Sequence, residues 1–337
     1  MQAIRINQRA DNLSLQPNEL ATPKPGVGQV LVRIKAAGVN FADIMQYQNR
    51  YPRQLATPYI PGYEIAGDVV ELGDNVVDLP LSTQVAAFTP NGGGYAEFAV
   101  VDAERCIPIP SGLDYTQVTA LLTQGLTAWI MLEEFVRAGQ NVLVTAASGG
   151  VGSIVAQLAW LLNQEAEGSS SVENVGATVY AATSDPNKAA HLDRDGMSTV
   201  NYSKSNWADQ LRHNGVAVDV VLDSVGGDCL MQAWSLLRDF GTLVVYGTAS
   251  NQDLLLSSEY IVSQFMHNPT VHFFAFTRYL ERNPSLISRG LQKLFSLVLQ
   301  GELSLPLTIY QGLGQAQKAW HDMSNRKTTG KVVISVC

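Results

Sequence analysis

The chain has 337 residues, enough for two domains by the usual relation between chain length and core size. With 46% hydrophobic and 15% charged residues it has the composition of a globular protein, and its formal net charge of −8 offers no attraction to nucleic acid or an anionic membrane. No apolar run approaches the roughly 20 residues that span a bilayer, the N-terminus lacks a signal-peptide core, and Cys106, Cys229 and Cys337 are scattered, so a reducing, cytosolic setting is expected.

Residues 1 to about 120 carry the pattern of an all-β region with many turns. Met1–Ile6 is expected as a short strand, and Gln29–Ala37 alternates apolar and polar residues as a half-buried strand does. A short helix is expected over Ala42–Tyr47. Strands follow after the turn at Pro61-Gly62, over Gln84–Phe88, and over Tyr95–Val101. From about Asp114 the pattern becomes helical, with Tyr115–Leu122 and Gly125–Val136. Beyond it, strands at Val142–Ala146, Ala177–Thr183, Thr199–Tyr202, Val218–Asp223 and Thr242–Gly247 alternate with helices at Ser153–Leu162, Asp185–Asp193, Trp207–Asn214 and Cys229–Asp239. Such alternation predicts a doubly wound parallel sheet. The polar stretch Gln164–Asn174 lengthens the first strand–helix–strand unit and is expected as a surface insertion. Thr270–Phe276 is an aromatic strand, and helices at Ser285–Gln300 and Gly314–Met323 lead to a closing strand, Gly330–Val336.

The stretch Val142–Gly152, VLVTAASGGVG, joins a buried strand to a helix through a turn of small residues. A dinucleotide pyrophosphate needs this context: backbone must come close to it, and free N–H groups at a helix start must face its charge. The match to the usual three-glycine pattern is incomplete, since Ala147 stands at the first position while Gly149 and Gly152 hold the others. Ser148, Gly149, Gly150, Val151 and Gly152 are the expected pyrophosphate contacts.

The order of Gly38-Val39-Asn40-Phe41-Ala42-Asp43, Pro61-Gly62-Tyr63-Glu64, Gly94-Tyr95-Ala96-Glu97-Phe98, Gly125-Leu126-Thr127-Ala128, Ala146–Gly152, Asp223-Ser224-Val225-Gly226-Gly227 and Gly330-Lys331-Val332-Val333 resembles the zinc-free quinone oxidoreductase (ζ-crystallin-like) branch of the medium-chain dehydrogenase/reductase superfamily. The resemblance implies an α/β chain with a GroES-like β domain (residues 1–120 and 268–337) interrupted by a Rossmann domain (121–267). Zinc-using relatives have Cys where this chain has Asn40 and His where it has Tyr63. The first 190 residues hold only Cys106 and no histidine, so no metal is expected. Glu64 reads as a buried residue that hydrogen-bonds its turn.

NAD-preferring sites end the second strand in an acid that binds the ribose 2′-OH. Here the strand ends Ala182-Thr183-Ser184, and Asp185, followed by Pro186, suits a helix N-cap better. The resemblance places Lys188 and Tyr202 at a 2′-phosphate, which makes NADPH the expected cofactor. Topology puts Ser224 and Val225, and Tyr246, Gly247 and Thr248, along the nicotinamide; the resemblance adds Thr127, Phe274 and Lys331. Without a metal, the oxygen that gains charge needs neutral donors. Asn40 is the expected one, Tyr47 and Tyr51 either donate a proton or form an aromatic wall, and Asp43 orients their helix. The expected activity is reduction of quinones or other α,β-unsaturated carbonyls. An enoyl/haloacrylate-type reductase and a low-turnover NADPH-binding structural or sensor protein remain alternatives. The partner is a small molecule, and a second copy is expected to cover the edge strand Thr270–Phe276.

Overall fold

In the computed structural model, residues 1–8, 15–167, 177–193, 196–250, 252 and 256–336 are described. The expected insertion Gln164–Asn174 lies outside them from residue 168 onward, as does Cys337. The chain divides into two compact units, Met1–Gln124 with Lys293–Cys337, and Gly125–Gln292.

The first unit is built on a seven-stranded sheet ordered Leu307–Gln311, Lys331–Ser335, Gln29–Val39, Glu64–Leu72, Gln84–Phe88 and Ile107–Pro108, with Phe98–Asp102 also paired to Gln29–Val39. Its pairs are antiparallel except Leu307–Gln311 with Lys331–Ser335. The core gathers alternate residues of these strands, Ile34, Ile65, Val85 and Val332, around Tyr95 and Trp320. The long strand extends past the expected Ala37 to Val39 because Val332 and Val333 of the closing strand pair with Val39 and Gly38. That pairing sets Lys331 next to the start of the helix Phe41–Tyr47.

The second unit holds a six-stranded parallel sheet in the order Met197–Asn201, Val179–Thr183, Val142–Val144, Val218–Asp223, Leu237–Val245 and Thr270–Phe273. The inner strands Val142–Val144, Val179–Thr183 and Val218–Asp223 are short, largely apolar and buried, as strands covered on both faces are, whereas the end strand Thr270–Phe273 is mostly exposed. The reversal of strand order falls between Val142–Val144 and Val218–Asp223, which is where such sheets bind ligands, beyond the strand carboxyl ends.

Three expectations are corrected. The chain returns to the first unit at Lys293 rather than at residue 268, since Thr270–Phe273 pairs in parallel with Thr242–Val245 and so belongs to the second sheet. The helix expected at Cys229–Asp239 runs from Gly227 to Trp234, and the following strand already begins at Leu237, with a register shift that its apolar–charged mixture hides. Asp185–Asp193 is a 3₁₀ helix over Pro186–Leu192 rather than an α-helix.

Candidate active site

In the first unit, the helix Phe41–Tyr47 begins at Asn40, whose backbone N–H donates to Asp43 Oδ2 at 2.8 Å. The other Asp43 oxygen accepts from Gly62 N at 3.1 Å, and Tyr95 Oη donates to Oδ2 at 3.3 Å while accepting from Trp320 Nε1 at 3.1 Å. Asp43 is therefore the post on which the Asn40 turn and the Pro61-Gly62 turn are both hung, the orienting role expected of it. Burial pushes its carboxyl up to about 7, against the lowering pull of the N–H groups of Asn40 and Gly62 and of the Lys331 charge.

The Asn40 side chain faces two buried charges. Its Nδ2 donates to Glu64 Oε1 at 2.8 Å, and its Oδ1 accepts from Lys331 Nζ at 2.9 Å. Lys331 also pairs with Glu64 Oε1 and donates to Val39 O at 3.2 Å, while Glu64 Oε2 accepts from Thr123 N at 2.7 Å. Both ions are sealed from solvent, Lys331 at 1% and Glu64 at 0% exposure. A buried charge must be paired and hydrogen-bonded to be tolerated, and here both conditions hold. Glu64 is buried as the sequence suggests, but it bonds Asn40, Lys331 and Thr123 rather than its own turn, which Asp43 holds instead. Lys331, expected beside the cofactor, is instead brought together with Asn40. Among the described residues no group of three or more His, Cys, Asp or Glu is placed to hold a metal ion.

Tyr47 packs edge-on against Trp320, ring centroids 6.1 Å apart, and Tyr51 lies 6.4 Å from Tyr63. Burial raises the phenols of Tyr51 and Tyr63, with the Asp43 charge adding to the effect. A phenol so shifted keeps its proton and can donate a hydrogen bond.

In the second unit, the turn after Val142–Val144 is shaped by backbone. Ala146 has φ 49°, and a Cβ on Gly152 would stand 2.3 Å from the Ala146 carbonyl oxygen, so no larger residue fits there. The 18-residue helix Gly150–Glu167 starts in this turn, and its first N–H groups lack partners within the helix. Those groups, with the helix dipole, suit a pyrophosphate. Ser148 Oγ and Thr183 Oγ1 lie 2.9 Å apart, and Tyr202 N donates to Thr183 O at 3.0 Å. The expected contacts Ser148, Thr183 and Tyr202 therefore meet at the carboxyl ends of adjacent strands, with Ser184 and Lys188 in the connection that follows. Asp185 is occupied as an N-cap, its carboxylate accepting from Asn187 N at 3.1 Å.

The loops after the next two strands are stitched together. Ala249 N donates to Ser224 O at 2.9 Å and Ser250 N to Val225 O at 2.7 Å, and a Cβ on Gly247 would meet Ser224 O at 2.9 Å. Ser224, Val225, Tyr246, Gly247 and Thr248 are accordingly one structural group. Asp223 holds its base: Thr145 Oγ1 donates to it at 2.7 Å and Gly226 N at 2.8 Å, while burial raises its carboxyl. Thr127 is buried on the helix Leu126–Phe135, and Phe274 stacks on Tyr279 at 4.7 Å with Phe135 edge-on at 6.5 Å. Neither is bonded into the Ser224 group by any contact above. Sequence reasoning missed Tyr95, Trp320, Thr123 and Thr145. Trp320 meets Tyr95 across 225 residues, so no local spacing could announce it.

Two family models match the chain, an alcohol dehydrogenase GroES-like domain over residues 26–111 and a zinc-binding dehydrogenase domain over residues 197–334. A 2-haloacrylate reductase from Burkholderia sp. is 32% identical, the alignment covering 94% of this chain and 93% of the relative. Among solved structures, a quinone oxidoreductase of Pseudomonas syringae pv. Tomato is 27% identical with a TM-score of 0.85, covering 99% of each chain. That of Thermus thermophilus, whose complex with NADPH has also been solved, is 28% identical with a TM-score of 0.78, covering 100% of each.

Proposed function

The chain belongs to the quinone oxidoreductase branch of the medium-chain dehydrogenase/reductase superfamily, and from that premise we propose that it is an NADPH-dependent reductase delivering hydride to quinones or other α,β-unsaturated carbonyls with no metal at the site. The observation that carries the reading is the glycine-forced turn at Gly152, set beside a second strand that ends at Thr183, with Ser184 rather than an acid following it. When bound, NADPH supplies the hydride. The chain's own groups bind and orient. The N–H groups of Gly150, Val151 and Gly152, with Ser148, would hold the pyrophosphate while the Gly149 N–H closes the turn on Ala146 O at 2.8 Å, and Thr183, Ser184, Lys188 and Tyr202 would take the 2′-phosphate. Ser224, Val225, Tyr246, Gly247 and Thr248 border the nicotinamide, with Thr127 and Phe274 completing that wall. On the substrate side Asn40 donates to the oxygen that gains charge, while Tyr47 and Tyr51 cover the substrate and exclude water.

The test is loss of NADPH absorbance on adding 1,4-benzoquinone. Protein-dependent, repeated turnover supports the reading; NADPH binding without turnover on any acceptor would leave a nucleotide-binding protein. The 32% identity to a 2-haloacrylate reductase favours one further substrate class, and a panel of quinones, enones, enoyl thioesters and 2-haloacrylates ranked by kcat/KM separates the two.

A homodimer is part of the proposal. Thr270–Phe273 ends the parallel sheet, and Phe273 (72%) and Val271 are exposed, as are Phe265 and Met266 just before it in the chain. An open apolar edge is covered most simply by its own copy. Sedimentation equilibrium should give twice the chain mass, falling to one chain for Phe273→Lys. The reading places the protein in the cytosol. No described helix is long and apolar enough to cross a membrane.

A further inference from the structure

The hydrogen-bond inventory around Asn40 is closed on three sides. The Lys331 ammonium has three hydrogens and three acceptors: Val39 O, Asn40 Oδ1 and Glu64 Oε1. The Glu64 carboxylate takes Asn40 Nδ2, Lys331 Nζ and Thr123 N. An ammonium can only donate, and a carboxylate paired with it can only accept. Between them they decide which edge of the Asn40 amide faces which partner, a choice that geometry alone leaves open because the two edges have the same shape. One amide hydrogen is left over.

We propose that Lys331 and Glu64 are positioning residues that fix the polarity of Asn40, so that the group offered to substrate oxygen is a donor and never the amide carbonyl. The proposal rests on the donor role given to Asn40 above. It assigns the site a preference for ligands that present an acceptor oxygen, such as a quinone or enone carbonyl, because a donor held in place costs no reorganisation when charge develops. An amide free to turn over would spend part of its time aiming a carbonyl at that oxygen. The fold is built around the carboxylate: a Cβ on Gly38 would stand 2.2 Å from Glu64 Oε1.

The test uses the charge-neutral pair Lys331→Met with Glu64→Gln, whose carboxamide can donate or accept, in wild-type and Asn40→Ala backgrounds. With NADPH and 1,4-benzoquinone the pair should lower kcat/KM at least about tenfold, below the roughly 10²–10³ that one preorganised donor is worth, since the amide is still correctly turned part of the time. NADPH affinity should not change. In the Asn40→Ala background the same pair should change kcat/KM less than about twofold, because nothing remains to orient. Equal losses in both backgrounds, or none in the wild type, would overturn the proposal; no loss from Asn40→Ala alone would instead overturn the donor role. A second readout needs no change to the ion pair. In protein labelled with [15N]asparagine, the side-chain amide missing from the Asn40→Ala spectrum should show one proton shifted downfield by the carboxylate, and two protons like those of exposed asparagines would count against a fixed amide.

Discussion

The two units bring polar groups together in opposite ways. In the second unit the work is done by backbone within a few residues: a positive φ at Ala146, a glycine that admits no side chain at 152, and a helix start at Gly150. In the first unit it is done by side chains from distant parts of the sequence. Asn40, Glu64 and Lys331 meet across 24 and 291 residues, and two of them are ions with almost no exposure. A backbone site fails by steric obstruction. A side-chain site fails when one partner is removed and the others are left buried without it.

That contrast is sharpest at Gly152. A Cβ there meets a backbone oxygen, which cannot swing aside as a flexible side chain would. Gly152→Val should weaken NADPH binding by more than about 100-fold, the equivalent of roughly 2.7 kcal/mol, as followed by fluorescence titration. Binding within about threefold of wild type would mean that the turn is only a packing device.

Lys331→Met asks the complementary question in the first unit. Leaving Glu64 buried without its cation should cost about 3–5 kcal/mol of stability, measured by urea unfolding. Adding Glu64→Gln should return most of it. A loss under about 1 kcal/mol would show that the pair is more solvated than its burial suggests.

Asp43 gives the first unit a pH dependence that the second unit's backbone turn lacks. Its folded pKa of about 7 lies above the ordinary carboxylate value, so the folded state holds the proton more tightly than the unfolded state does. The associated stability is fully present below about pH 4 and is lost as pH rises through 7. Between those limits this group alone should lower stability by a few kcal/mol, and Asp43→Asn should flatten that part of the profile. Thermal melts at about pH 5 and pH 8 check it; identical slopes for the two proteins would rule Asp43 out as the cause.

What could be read from the sequence follows the same division. The parallel sheet, the tight glycine turn after its first strand and the Thr183-Ser184 hydroxyls after its second were legible because each is set by neighbours in the chain. Asn40, Asp43 and Glu64 were noticed through the motifs that contain them, Asp43 in its orienting role and Glu64 as buried, though not with its partners. The partnership with Lys331 was not legible, because a lysine at the start of a closing strand has nothing local to mark it as buried. Pairing with Val39 and Gly38 creates that burial, and only the assembled sheet supplies it. The same holds for Thr270–Phe273, whose aromatic pattern marks a strand without saying which sheet receives it.

The smallest effect probes the edge of the backbone site, where side chains take over again. The Ser148–Thr183 hydroxyl pair stands at the end of the second strand, Asp185 is occupied in capping Asn187, and Lys188 follows in the same 3₁₀ segment. With the Asp185 carboxylate engaged by Asn187 N, the cation this segment offers is Lys188, whose charge would suit a 2′-phosphate and gain little from a bare hydroxyl. Lys188→Ala should therefore raise the Kd for NADPH about tenfold, as loss of one charge-assisted contact would, and leave NADH within about twofold. Because such a contact is screened, the gap between wild type and variant should narrow as salt rises from about 0.05 to about 0.5 M. Equal weakening of both nucleotides would remove Lys188 from cofactor selection and leave Thr183, Ser184 and Tyr202 to account for it.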